Sequence, residues 1–353
     1  MSVELDNLHY NWRDIDGYGK AYNFAMGPRE PGKTSMMWLT KIYLPWKKDH
    51  RPWIYLVRKS VEINDALIES IFSTIINKFT DDNVSPTYKR GTFNEGITDV
   101  SIDGKLFFRI VALGIDLRRI KLAVLPNIKG VFMDEYIIDP KTGEKYATNE
   151  AFKIKEAYTT WRRECDGQLR MYFAGNPYSL FNPLFVDWGI EISRLKKDQF
   201  YVGDNFVVHW CTLHPKLVEK LLRENPNYQF DEDYRQYALE GMAINDANIK
   251  LGTLPPHYSL QYSFRFQNKY IGVFKNNFYE DMEDKYFCKF LDGIGKQRTA
   301  YCLDFEDMLD RTIILSIEER NKLKRFKNAL RMGLVAFEDI NVYYYLVEIY
   351  KGL

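Results

Sequence analysis

Residues 27–34 read Gly27-Pro28-Arg29-Glu30-Pro31-Gly32-Lys33-Thr34, a complete GxxxxGKT. An apolar run, Ala21-Tyr22-Asn23-Phe24-Ala25-Met26, precedes it, and a segment rich in Met, Trp, Leu and Ile follows from Thr34 to Leu44. The motif therefore lies between an expected strand and an expected helix, the latter stopped at Pro45. That context gives the spacing its chemistry: the turn aims successive backbone N–H groups at phosphate oxygens, and the positive end of the following helix faces the same charge. Lys33 is expected to reach the β- and γ-phosphates and Thr34 to hold Mg²⁺ through its hydroxyl, with Gly27, Gly32 and Ser35 completing the cradle for ATP. Pro28 and Pro31 carry no N–H, so the cradle depends on Gly32, Lys33, Thr34 and the basic side chains. A Gly/Pro turn opening an ordinary helix is the plain alternative.

Working outward, Trp53-Ile54-Tyr55-Leu56-Val57 is a short apolar run suited to a buried parallel strand, ending at Arg58-Lys59, and a helix is expected over 63–79. The stretch 91–111 alternates around Asp103-Gly104 and reads as a hairpin insertion. Residues 128–135 form a second apolar strand closing on Asp134-Glu135. A carboxylate at that strand end beside a γ-phosphate can hold the water shell of Mg²⁺, the role expected of Asp134, and a second can polarise the attacking water, the role expected of Glu135. A helix over 150–163 places Ile154, Ala157, Tyr158 and Trp161 on one face with Arg162 at its border. Next, a strand over 169–176 ends in Asn176. A polar residue there faces the γ-phosphate in doubly wound ATPases, though Asn before Pro177 is also a turn former.

These elements predict an α/β chain: a P-loop ATPase domain with a doubly wound, mostly parallel sheet over 1–205, a charged helical linker or lid over 206–249, and a smaller α+β domain over 250–353. The last region alternates short aromatic strands with turns and closes on a basic helix opened by the capping box Ser316-Ile317-Glu318-Glu319. A length of 353 residues with 46% hydrophobic content accommodates such a division. The net charge of +1 means that any nucleic-acid contact must come from local basic patches. Four scattered cysteines without CxxC spacing, and five histidines without HxxxH or HExxH pairing, give no zinc signature and suggest a reducing compartment. The start lacks a signal-peptide pattern, and no apolar run approaches the ~18 residues of a membrane span. A cytosolic protein is expected.

Taken together, the phosphate loop and Val131-Phe132-Met133-Asp134-Glu135 resemble the genome-packaging ATPases of small, short-tailed phages with protein-primed linear genomes, relatives of large terminase subunits. The resemblance extends to Arg29, two residues after the first loop glycine, to Lys121 in a Lys…Pro-Asn segment leading into the acidic strand, and to Arg162 after an aromatic on the next helix. It implies an ASCE-type ring ATPase, homopentameric by family analogy, in which Lys121 and Arg162 act on a neighbour's nucleotide. It further implies double-stranded viral DNA and a portal protein as partners, with the use of a structural RNA left open, host cytoplasm as the location with transient docking on the procapsid portal, and a carboxy-terminal domain of degenerate RNase-H-like nuclease fold. Nuclease chemistry would need clustered carboxylates for two metals. Asp292, Asp304, Glu306 and Asp307 are the candidates, and they are poorly clustered, so the domain is read as a docking module. DNA phosphates are expected to meet Arg58, Lys59, Lys89 and Arg90, which follow strands or sit on loops.

Two other classes compete. A nucleotide or small-molecule kinase would need an arginine-rich lid and no large extra domain, and gives no reason for a water-activating Asp-Glu pair. A GTPase would need an Asp two residues after Lys78 in Asn77-Lys78, where Thr80 stands.

Overall fold

The computed structural model describes residues 8–89, 95–139, 144–165, 169–178, 182–191, 194–230, 235, 238–239, 249–266, 268–277, 285–295, 299–303, 307–331 and 334–352. Two compact units divide the chain, one of residues 1–190 with 194–245, the other of 246–353 with 191–193.

The first unit is built on nine strands: β1 (Tyr22–Met26), β2 (Trp53–Val57), β3 (Thr87–Tyr88), β4 (Ile97–Ile102), β5 (Lys105–Ala112), β6 (Gly130–Met133), β7 (Met171–Gly175), β8 (Gln199–Val202) and β9 (Phe206–Trp210). They lie in the order β3-β4-β5-β2-β6-β7-β1-β9-β8. From β5 to β9 all neighbours run parallel, and antiparallel strands close both edges. Every residue of β1, β2, β6 and β7 is buried. A parallel strand covered on both faces has no polar side, which is why these stretches read as unbroken apolar runs. One strand, β7, separates β1 from β6, so the phosphate loop and the two acids leave the sheet on either side of Asn176.

Over residues 33–49 the chain after the loop stays helical, and Pro45 does not end it as expected. The helix widens to π geometry across Met37–Tyr43, where the Leu44 N–H bonds the Leu39 carbonyl, and Pro45 enters the first turn of a new α segment, Leu44–Asp49. At that position a missing N–H costs little. Trp38 anchors this helix on the sheet, packing against Tyr55, Phe108 and Phe132 at ring-centroid distances of 5.1, 4.9 and 6.0 Å. Its truncation to Ala would cost about 3–5 kcal/mol.

Two further expectations are corrected. The hairpin β4–β5 turns at Asp103 and Gly104, both with positive φ (50° and 74°), as a two-residue turn requires. It is no insertion, however: β5 pairs in parallel with β2 and extends the central sheet. The domain boundary drawn after residue 205 would cut off β9, which pairs with β1 along its whole length, and the helices Pro215–Glu224 and Asn227–Phe230 belong to the same unit. Long-range pairing, invisible to local composition, overrides the rise in charge there.

Seven strands form the sheet of the second unit: β10 (Lys250–Leu251), β11 (Tyr258–Phe266), β12 (Lys269–Asn276), β13 (Tyr286–Leu291), β14 (Ala300–Cys302), β15 (Thr312–Ile314) and β16 (Val335–Phe337), in the order β10-β16-β13-β12-β11-β14-β15. An antiparallel meander β11–β12–β13 is continued beyond β11 by parallel β14 and β15, an arrangement that agrees with the expected RNase-H-like fold. Its core unites Phe264, Ile271 and Val273 with Leu323, Phe326, Leu346 and Ile349 from the closing helices. The basic helix expected from the capping box is broken at Leu323 into Ile317–Lys322 and Lys324–Arg331. Among the described residues, no helix is long and apolar enough to cross a membrane.

Candidate nucleotide-binding site

At the carboxyl end of β1, Gly27 packs so tightly on Cys211 that a Cβ would come within 2.4 Å of its Sγ and 2.5 Å of its carbonyl oxygen. The first loop glycine is thus fixed by packing as much as by phosphate chemistry. Gly32 has φ +71°, a left-handed conformation that glycine enters without cost, and caps the helix that follows. The N–H groups opening that helix, which begins at Lys33 in the motif Gly32-Lys33-Thr34-Ser35, have no intrahelical acceptors. Trp12 ties this turn to the preceding segment by donating its indole N–H to the Lys33 carbonyl at 2.9 Å.

Lys33 is 4% exposed. Its ammonium donates to the carbonyls of Gly27, at 3.0 Å, and Pro28, and to Asn176 Oδ1 at 3.3 Å. Burial lowers its pKa, and the nearby Cys211 and Asp134 oppose that shift. Asn176 therefore shares a cation with the loop, as its expected place at the tip of β7 requires.

Across the site, the Thr34 hydroxyl donates to Asp134 Oδ1 at 3.0 Å, the two residues lying 100 positions apart. The same oxygen accepts the Glu135 N–H at 3.0 Å. Crowding by protein, with the neighbouring Glu135 charge adding to it, pushes the Asp134 carboxyl up to about 6 against the opposing pull of the Thr34 hydroxyl, the Glu135 N–H and Lys33. An acid whose charged form is disfavoured gains from a cation beside it. The donor set of hydroxyl and carboxylate oxygens suits Mg²⁺, which prefers oxygen ligands and retains water. Glu135 is exposed and has φ +51°. A non-glycine residue in that region costs on the order of 1–2 kcal/mol.

What sustains that conformation is Arg58, which is 7% exposed. Its guanidinium donates to the carbonyls of Glu135 (2.7 Å) and Tyr136 (2.6 Å), and its Nε meets Glu150 Oε2 at 3.0 Å. The expectation that Arg58 meets DNA is therefore corrected: a side chain at the end of β2 is drawn inward because buried carbonyls and a buried carboxylate need its donors. Glu150 was not singled out as a site residue. Burial raises its pKa and Arg58 offsets the rise. A signal existed, since Glu150 shares the buried face of the helix Glu150–Trp161 with Ile154, Ala157 and Trp161, and an acid in an apolar stripe calls for a cation.

The remaining expected residues are dispersed. Arg29 is exposed and donates to the Tyr178 hydroxyl, with its guanidinium 5.7 Å from that ring centroid. Lys121 forms an ion pair with Glu156 of its own chain at 2.7 Å. Arg162 is exposed on the turn Arg162–Cys165, just past the helix end. Lys59 and Lys89 are exposed, and Arg90 lies outside the described residues. In the second unit, Asp292 is exposed and Asp307 buried, while Asp304 and Glu306 lie outside the described residues. Among the described residues no three His, Cys, Asp or Glu side chains gather to hold a metal.

The whole chain superposes on known folds. The packaging motor assembly of bacteriophage Phi-29 matches with a TM-score of 0.68 at 18% identity, covering 98% of this chain and 99% of that one. The Phi-28 gp11 DNA packaging motor matches with a TM-score of 0.64 at 15% identity, covering 99% and 98%. No curated protein sequence matches the chain significantly. Residues 5–351 match the family model described as podovirus DNA encapsidation protein (Gp16), and this chain belongs to that family.

Proposed function

We propose that this chain is the ATP-hydrolysing subunit of a ring that drives double-stranded viral DNA into a procapsid. The single observation carrying the chemistry is the Thr34–Asp134 hydrogen bond of 3.0 Å. It joins the phosphate loop to the acidic strand across β7, at the end of a parallel sheet where ligands gather. Lys33 and the N–H groups of Gly32, Thr34 and Ser35 hold the phosphates of ATP, while Thr34 and Asp134 hold Mg²⁺. That ion would neutralise charge developing on the transferred phosphoryl group. Glu135 orients a water whose oxygen bonds the γ-phosphorus as the β–γ bridging bond breaks, and Asn176 reports on the γ-phosphate. Water activation by Glu135 and membership in a DNA encapsidation family together disfavour a kinase.

Arg162 and Lys121 act on the nucleotide of a neighbouring copy in a homopentameric ring, with Arg29 on the loop side. An arginine finger contributes on the order of 10³–10⁵ in rate, so each subunit would fire only when its neighbour is in place. The Lys121–Glu156 pair must then open. Lys59 and Lys89, with Arg90, meet DNA phosphates. The second unit docks on the portal protein, with or without a structural RNA, in the host cytoplasm. The test is ATPase activity of the full chain with and without double-stranded DNA and empty procapsids. Strong stimulation by both is expected, and turnover indifferent to both would refute the motor.

A further inference from the structure

While the nucleotide site occupies the carboxyl ends of the parallel strands, their amino ends frame a separate cleft of about 830 Å³. Arg13, Lys20, Lys41, Arg51, Lys129 and Arg170 line it. They come from six different segments: the helix Trp12–Asp16, the turn before β1, the helix after the phosphate loop, and the approaches to β2, β6 and β7. Among the described residues, Asp16 and Asp204 are the acids that oppose them in the lining.

Asp16 is heavily shared, taking Lys41, Arg170 Nη1 at 3.6 Å and the Tyr172 hydroxyl at 2.7 Å. Lys20 reaches only the backbone carbonyl of Asp204, at 3.0 Å. Arg51 spends its side-chain donors on the carbonyls of Asn127 and Ile128 at 3.1 and 3.2 Å, and the acid beside it is Asp49. Lys129 has Asp49 at 3.1 Å. Even with Asp49 counted, three positive charges remain around the cleft among the described residues, in a chain whose net charge is +1. Like charges gathered this closely repel one another, and a polyanion relieves that repulsion.

Six cations from six segments line the cleft, unlike the apolar pockets that take small ligands. Cations spread around a rim suit successive phosphates, which they position without reading bases. We infer that this amino-end cleft binds the phosphodiester backbone of a nucleic acid, giving the chain a second grip remote from the nucleotide. The inference is separable from the packaging reading, because binding is measured without nucleotide and hydrolysis without nucleic acid.

The test uses the full chain carrying Arg13→Glu with Lys129→Glu, two exposed positions. The comparison variants are Arg13→Lys with Lys129→Arg, and a charge-matched Lys220→Glu with Arg223→Glu on the exposed face of helix Pro215–Glu224. Anisotropy titrations employ a labelled 20-base-pair DNA, a labelled 20-nucleotide RNA and, as competitor, inorganic tripolyphosphate. The double reversal should weaken DNA or RNA at least about tenfold and reduce the salt slope by about 2, and whichever polymer suffers more is the ligand. The conservative variant and the charge-matched control should bind within about twofold of the parent, with basal ATPase unchanged in all. Undiminished binding of both polymers by the double reversal, equal weakening in the charge-matched control, or a loss confined to tripolyphosphate would each overturn the inference.

Discussion

The two sheets of this chain both combine parallel and antiparallel strands, but they treat charge in opposite ways. In the first, the tips of β1, β6 and β7 bring together two hydrogen-bonded pairs, Lys33 with Asn176 and Thr34 with Asp134, and the buried Arg58 is met by the buried Glu150. In the second, the interior strand β11 contains no carboxylate from Tyr258 to Phe266. It carries Arg265, which is 7% exposed and supported by the Tyr270 hydroxyl at 3.0 Å and Asn268 Oδ1 at 2.8 Å, with its Nε unpaired. A fold supplies strand ends, and chemistry appears only where opposite charges and donors converge on them.

The sharpest way to break this contrast is through the carboxylates. Glu135→Gln should lower kcat by about 10²–10⁴ while leaving ATP bound, because it removes the group that orients water and spares the phosphate contacts. Asp292→Asn in the second unit should leave the ATPase within about twofold. Full turnover by Glu135→Gln would dissolve the distinction between the sheets.

Next in size is the response of the two buried arginines. Arg58→Met strands Glu150 without a counter-charge and releases the strained Glu135 backbone, so it should cost about 3–5 kcal/mol, or about 6–15 °C in the melting of a unit of this size. Arg265→Met removes a buried cation with no carboxylate in ion-pair range among the described residues, and should change stability by no more than about 1 kcal/mol. Thermal melts of the two variants decide the matter, and equal losses would mean that Arg265 is held as firmly as Arg58.

A smaller effect follows from Asp134. Its folded pKa, about 6, lies above the ordinary value of 3.8, so a proton competes with Mg²⁺ as pH falls. Between pH 7 and pH 5 the ionised fraction drops about tenfold, and Mg²⁺-dependent nucleotide affinity should drop with it. The sign for stability is opposite. A carboxyl raised on folding stabilises the native state as pH falls through 6 toward 4, so this group makes no contribution to acid unfolding in that window. Isothermal titration at both pH values checks the first statement, and affinity that holds steady would remove Asp134 from the metal site.

At the end of the scale stands an effect of zero: supercoiled DNA incubated with the full chain and Mn²⁺ should stay uncut, because two-metal cleavage needs clustered carboxylates. Nicking abolished by Asp304→Asn would turn the second sheet into a working site and reverse the comparison.

Much of the nucleotide site was legible because its parts are local. A GxxxxGKT between an apolar run and a helix, and an apolar run ending in Asp134-Glu135, are patterns within ten residues, and backbone geometry fixes what such patterns can do. In the second unit, aromatic alternation announced a small α+β domain, but some of its strands, the interior β11 among them, were not picked out. The π segment that carries the helix past Pro45, the pairing of β9 with β1 and the docking of β5 beside β2 were not, since each depends on neighbours distant in sequence.

Arg58 marks the boundary most clearly. In the sequence it is a basic residue after a strand, equally suited to solvent, phosphate or an ion pair. The fold gives it Glu150, 92 residues away, and the carbonyls of Glu135 and Tyr136. The sequence by itself determined that a triphosphate loop and a pair of acids exist and which atoms they offer, because those properties follow from short-range covalent spacing. Only the tertiary structure decided which charges are buried, which pair with each other and which remain on the surface, because desolvation and Coulomb attraction depend on what the folded chain brings within a few ångströms.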